Sequence, residues 1–368
     1  MEQVRDLAPA EHPAPGVTTS VTPPQAGTDH SSQHRDQTEL FLEHRQMLAA
    51  LAYRLLGSVH DADDTVQDAY LRWATVDPES IANPAAFLTT VTTRLALDRL
   101  RSAKARREIY VGPWLPEPLP TSAAAPGTIA PSRSASRSGL TPDPAFTISP
   151  PTWTDPVETV ALRESATIGM LLLVERLSPV ERAVFVLREA FALPYEEIAA
   201  IVDRSPAHCR QLHHRATLHA AQAPSAQPSS IRTTTPARAH PSSADPHRGR
   251  ALVEKFLSAA RGGDMDGLKA LLRDDVVLTT DGGGQVSAAL RPIFGAQNTA
   301  RLFASVFTRR HQTAVATYTE FNYAPAILLS NTRRPSVYVF DTDDDGCIAN
   351  VYGIFNPDKL RHLAIPSL

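Results

Sequence analysis

The sequence predicts a multidomain chain: two all-helical units followed by one α+β unit. Three observations carry that reading. Apolar residues recur at helical spacing on both sides of a Pro-, Ser- and Thr-rich stretch. A second such stretch precedes the last third of the chain, and beyond it strand-like runs alternate with turn signals. Residues 1–36, 119–153 and 222–246 hold too few large apolar side chains to offset the entropy of ordering them. They are expected to be a disordered tail and two disordered linkers, leaving folded blocks at 37–118, 154–221 and 247–368.

In the first block Leu48, Leu51 and Leu55 mark one helix, and Gly57 is a plausible stop. Val66, Ala69, Tyr70 and Trp73 form the apolar stripe of a second helix. Asn83-Pro84 reads as a cap and first turn, with Leu88, Val91 and Leu95 buried behind it. In the second block Ser178-Pro179 starts a helix. "LPYEEIAAIVDRSPAHCRQLHHRA" (193–216) then reads as a short helix, a turn at Asp203-Arg204 and a second helix whose inward stripe is Cys209, Leu212 and Ala216. That is a helix-turn-helix plan, shared by many helical hairpins. The third block begins with helical patterns at 248–261 and 264–272, passes through "DDVVLTTDGGGQ", and adds a helix at 295–309 before four strand-like runs. Helices followed by an antiparallel meander make an α+β domain.

Composition narrows the function classes. The formal charge of −3 gives no global nucleic-acid signal, so any basic surface must be local. Cys209 and Cys347 lie far apart without ligand spacing, which fits a reducing compartment. The first twenty residues lack the apolar core of a signal peptide, and runs such as "IGMLLLV" (168–174) are too short to cross a bilayer. A cytoplasmic protein with no membrane partner is expected.

Two charged faces stand out. "DADDTVQDAYLRW" (61–73) sets Asp61, Asp64 and Asp68 on one side of a helix, with Gln67 alongside and no Lys or Arg inside the cluster. Like charges at i, i+4 repel by a few tenths of a kcal/mol. A solvated face is the ordinary reading; a basic partner that neutralises it is the other. "RLALDRLRSAKARRE" (94–108) has six basic and two acidic residues, a run longer than a helix dipole requires, and reads as a phosphate-binding stripe.

In combination these segments resemble the extracytoplasmic-function (ECF) sigma factors. "RQMLAALAYRLLGSVHDADDTVQDAYLRW" with "NPAAFLTTVTTRLALDRLRSAKARRE" resembles sigma region 2, a helical bundle. "LSPVERAVFVLREAFALPYEEIAAIVDRSPAHCRQLHHRA" resembles the region 4 helix-turn-helix. "YVGPWLPEPLP" (110–120) and "DGGG" (281–284) resemble the subgroup with a fused C-terminal SnoaL-like, NTF2-like cone, the sigma-J type.

The resemblance implies two partners, RNA polymerase core and promoter DNA. Asp61, Asp64, Gln67 and Asp68 would dock on core. Arg94, Asp98, Arg99 and Arg101 would meet the opened promoter element, and Lys104, Arg106 and Arg107 its phosphates. In region 4, Arg210, Gln211, His214 and Arg215 point outward towards the major groove, where Arg reads guanine and Gln reads adenine. The stretch "ATLHAAQAP" after Arg215 lacks the further Arg that relatives carry, which weakens the phosphate grip. Tyr70 and Trp73 could stack on bases, but their spacing makes them core. His208, His213, His214 and His219 lack a carboxylate or Cys to complete a metal site. No cofactor and no metal are expected.

Regulation is implied for Tyr110 and Trp114 in the Pro-rich segment, for Asp281, Gly282, Gly283 and Gly284, and for Asn356, Pro357, Asp358 and Lys359 in "NPDKLRHL". Relatives carry Lys after the glycines, so Gln285 implies a missing salt bridge. An enzyme of the NTF2-like cyclase or isomerase type with a DNA-binding leader is the alternative, with Asp281 as its base; fold alone does not decide. No His pairs with Asp281 in the sequence, so no catalytic residue is expected. An unidentified small ligand in the C-terminal pocket stays open.

Overall fold

The computed structural model describes residues 29–107, 110–121, 127–129, 163–221, 246–309, 311, 313–332, 334–343 and 345–363. Helix α1 (Asp29–Leu56) begins inside the segment expected to be a disordered tail and continues directly into the apolar pattern of "QTELFLEHRQMLAAL" (37–51). Gln37 shows why the turn before Leu40 is held. Its amide donates to the Trp73 carbonyl at 2.7 Å while the Trp73 indole donates back to the Gln37 carbonyl at 2.9 Å. The Trp73 ring is wholly buried, which confirms its core assignment, and Tyr70 packs edge-on against Phe41.

Gly57 (φ +68°) ends α1, and Ser58 caps α2 (Val59–Trp73) by accepting from the Asp61 amide. Asn83 caps α3 (Pro84–Arg107) by accepting from the Ala86 amide. In the second block α4 (Ile168–Val174) leads to α5 (Pro179–Glu189), which opens with a reciprocal Ser178/Glu181 capping box. The helix-turn-helix follows as α6 (Tyr195–Val202) and α7 (Pro206–Ala221), joined through Asp203 in the left-handed region at φ +55°.

The two helical blocks do not have separate cores. Leu48, Leu55 and Leu97 share one apolar cluster with Leu177, Phe185 and Ile198. Arg182, buried in α5, donates to the carbonyl of Leu55 at the end of α1 (2.9 Å). Burial pulls its pKa down to about 10, and the guanidinium is still charged at neutral pH.

The third block is the expected α+β domain: α8 (Pro246–Gly262), α9 (Met265–Leu271) and α10 (Ala296–Arg309) against a curved sheet. Its strands are β1 (Gly127–Ile129), β2 (Leu272–Asp281), β3 (Ile293–Phe294), β4 (Val315–Phe321), β5 (Ala324–Ser330), β6 (Ser336–Thr342) and β7 (Ile348–Ile354), in the order β1-β4-β5-β6-β7-β2-β3. The meander β4 to β7 is antiparallel, as the turn signals predict. The long crossover makes β2 parallel to β7. Strand β1 comes from the linker expected to be unstructured, and it extends the sheet beside β4.

Strand alternation sorts the core into two layers. Tyr338 and Phe340 face the helices with Phe256 and Phe303, whereas Val337 and Val339 face the other way. That second face buries Leu115 of the Pro-rich segment and Ile168 of α4. Both sheet faces are thus covered, and β4 to β7 are buried along nearly their whole length. The Pro-rich segment is a packed element rather than a spacer: Leu115 and Leu119 are fully buried, each worth about 1.5–3 kcal/mol.

Candidate functional site

Helix α2 holds Asp61, Asp64 and Asp68 on the side away from buried Val66 and Trp73, and all three stay partly exposed. The absence of a cation inside this stretch is made good by neighbouring helices. Arg99 of α3 lies 2.7 Å from Asp68, 3.5 Å from Asp64 and 3.9 Å from Asp61, and Arg45 of α1 lies 3.2 Å from Asp63. Partial burial works against the Arg99 charge, but the Asp68 bond and the fields of Asp64 and Asp61 more than offset it and raise its pKa. Arg99, expected at the promoter element, is therefore turned towards the acidic face in this structure. Gln67 donates to Asp63 at 3.0 Å.

Arg94 is also engaged. Its guanidinium donates to the carbonyls of Ala200 and Ile201 (3.1 Å each), where a cation complements the C-terminal end of α6. Asp98 and Arg101 are exposed and pair at 2.8 Å. Lys104, Arg106 and Arg107 lie on the last turns of α3, with side chains outside the described residues. On α7, Arg210, Gln211, His214 and Arg215 are all exposed, opposite buried Cys209, Leu212 and Ala216, as the stripe requires. His213 is bound internally, 2.8 Å from Glu189 and 3.0 Å from the Tyr195 hydroxyl.

The expected regulatory residues converge on one carboxylate. Asp281, at the end of β2, is completely buried and accepts from the Tyr110 hydroxyl (2.6 Å), the Leu115 amide (2.8 Å) and the Gly283 amide (3.0 Å). Its cation is Lys359, 2.7 Å away, whose ammonium lies 4.3 Å from the Trp114 ring centre and 4.9 Å from that of Tyr110. Lys359 also donates to the Leu115 carbonyl, and Asn356 donates to the Tyr110 hydroxyl at 2.8 Å. Burial and then the Asp281 bond and charge raise the Tyr110 pKa, so the phenol stays protonated and donating.

The Gly282–Gly284 turn closes through Gln285 and Val286 amides on the Gly282 carbonyl. At Gly283 (φ +57°) a side chain would collide with Asn356. Pro357 and Asp358 start a 3₁₀ turn (Pro357–Leu360) capped by Asn356. The ionic contact is absent at Gln285, but its amide still donates to Asp358 at 2.6 Å. Asp281 therefore faces the joint between blocks and is absent from the lining of the domain's cavity.

Two joint residues carry no motif in the sequence. Glu117 accepts from the Val59 amide (2.7 Å), the His60 amide (3.2 Å) and the Ser58 hydroxyl (2.9 Å), so the Pro-rich segment caps α2 from outside. Asn322 is wholly buried at φ +54°. Its side chain donates to the Tyr53 hydroxyl (2.6 Å) and the Ala166 carbonyl (2.7 Å), and accepts from the Leu119 amide (3.0 Å). "FNYAP" signals a turn between strands but not a hub joining three blocks.

The chain matches the families Sigma-70 region 2 over residues 40–106 and Sigma-70, region 4 over residues 169–219. It is 34% identical over 325 residues to the ECF RNA polymerase sigma factor SigJ of Mycobacterium tuberculosis, covering 86% of this chain and 90% of that one. This chain belongs to the ECF RNA polymerase sigma factors. The probable ECF sigma factor SigI of the same organism is 31% identical over 241 residues, 66% of this chain and 68% of its own. The crystal structure of M. tuberculosis SigJ aligns with a TM-score of 0.61 at 28% identity, covering 89% of this sigma factor and 100% of that chain. As a sigma factor, the protein directs RNA polymerase core to promoter DNA. No described helix of it is long and apolar enough to cross a membrane.

Proposed function

We propose that this sigma factor works in the cytoplasm, where it docks on core through Asp61, Asp64, Gln67 and Asp68, and that its C-terminal domain restrains it without catalysing a reaction. Region 2 would hold the opened promoter strand along Arg94, Asp98, Arg99, Arg101, Lys104, Arg106 and Arg107. Single-strand binding of this kind needs a cationic track. Helix α7 would enter the upstream major groove with Arg210, Gln211, His214 and Arg215.

Restraint follows from what the joint occupies. Arg94 is tied to α6, so promoter engagement through Arg94 requires regions 2 and 4 to separate. Their separation is opposed by the joint around Asp281. The observation that carries the non-catalytic reading is the zero exposure of Asp281, whose carboxylate already accepts from four donors. A general base must reach a substrate proton.

The test is co-purification with core and run-off transcription, comparing wild type, Asp64→Lys/Asp68→Lys and a chain ending before Asn356. The charge-reversed protein should lose core. The shortened one should bind core and change its promoter-dependent transcript yield. Equal core retention by wild type and the charge-reversed protein would rule out the docking face.

A further inference from the structure

We propose that the cavity of the C-terminal domain is an effector site for an amphipathic carboxylate, and that its occupancy loosens the Asp281–Lys359 joint. The coupling half of this proposal rests on the restraint described above; the binding half does not.

The cavity measures about 860 Å³, within the range of sites for small ligands. Its lining is more apolar than polar and includes Leu278, Phe303, Tyr338 and Phe355. Exposed Arg309 and Arg334 and half-buried His311 line the same cavity, and no acidic residue among the described residues does so. Arg309 ends α10, and Arg334 lies in the β5–β6 turn, so two separate elements bring cations to one space. A largely apolar chamber that also holds two guanidinium groups suits a ligand with an acyl or aromatic body and one carboxylate, which a guanidinium grips with paired hydrogen bonds.

The cavity wall and the joint are built from the same short segments. Thr280 lines the cavity and Asp281 holds the joint; Phe355 lines the cavity and Asn356 bonds to Tyr110. Val286 and Ala288 line the cavity immediately after the glycine turn. Arg334 also donates to the carbonyl of Gln285, whose side chain holds Asp358 beside Lys359. A carboxylate that recruits Arg334 competes with that carbonyl and withdraws support from the glycine turn. A ligand shifts a conformational equilibrium only through such differential contacts.

The experiment uses the full chain without polymerase. Calorimetry with decanoate and naphthalene-2-carboxylate, against 1-decanol as the uncharged control, measures binding. At least one carboxylate should bind saturably, and 1-decanol at least ~10-fold more weakly than decanoate, the equivalent of roughly 1.4 kcal/mol. Arg309→Ser/Arg334→Ser should remove the preference, and Ser305→Trp, which fills the chamber, should abolish binding. Hydrogen exchange then reads the joint: amides of residues 110–117 and 356–360 should exchange faster with ligand bound. Failure of both carboxylates to bind, or equal binding of decanoate and 1-decanol, overturns the site. Saturable binding with unchanged exchange overturns the coupling. Neither measurement depends on promoter activity, so a failure here is separable from a failure of the transcription reading.

Discussion

The carboxylate–cation clusters on α2 and at the end of β2 differ chiefly in water. On α2, three partly exposed aspartates share Arg99; at the end of β2, one aspartate with no exposure meets Lys359. An exposed pair is worth about 0–1 kcal/mol, because solvent competes with it. A buried pair is expensive to break, because one partner is left charged in a dry site. The α2 cluster can therefore exchange its internal cation for one on another protein at small loss. The β2 cluster cannot, and it fixes the Pro-rich segment and the C-terminal turn against the sheet.

The largest effect expected is at the buried pair. Lys359→Met should destabilise the chain by about 3–5 kcal/mol, read by denaturant unfolding, since the buried Asp281 side chain loses its ion-pair partner. Adding Asp281→Asn should recover much of that loss; a double variant as unstable as the single one would mean that Lys359 acts through packing on Trp114 instead. Next comes Asn322→Ala. It leaves the Leu119 amide and the Ala166 carbonyl unpaired, at about 1–3 kcal/mol, and should raise exchange at residues 117–121.

Arg99→Ala tests the other arm of the comparison. Stability should move by less than about 1 kcal/mol. Retention of core should hold or improve, since the three aspartates lose their internal competitor. A loss of stability like that of Lys359→Met would erase the distinction drawn between the clusters.

The smallest effect is with pH. Half-buried His362 bonds the Pro118 carbonyl at 2.8 Å, and burial lowers its pKa below the ordinary 6.5. The released tail binds a proton more readily than the docked one. Its docking is therefore fully stabilised above pH 6.5 and weakens as pH falls through the lowered value. The protection of amides 357–363, relative to their intrinsic exchange rates, should fall between about pH 7.5 and pH 5.5, and His362→Gln should flatten that dependence.

What the sequence reveals follows range. Local rules located the helices, since Ser178 with Glu181, Asn83 with Pro84 and the Gly57 stop each act within a few residues. The segments expected to regulate were singled out through resemblance, and the structure gathers Tyr110, Trp114, Asp281 and Lys359 at one point. Their convergence was not legible, because Tyr110 and Asp281 are 171 positions apart. Arg99 was expected at the promoter element, and its pairing with the acidic face was not legible because those partners lie 31 to 38 positions upstream on another helix. Glu117 stands in a Pro-rich run where no capping rule applies, since it caps a helix that began far earlier.

Glu117 has one more physical consequence. The amides at the start of any helix carry partial positive charge that must be met, and for α2 the outside carboxylate meeting it belongs to the segment leading away from α3. Lifting that strand from its seat strips two hydrogen-bond acceptors from the turn that bears Asp61. Whether that segment is seated is thereby written into the order of the turn that carries Asp61.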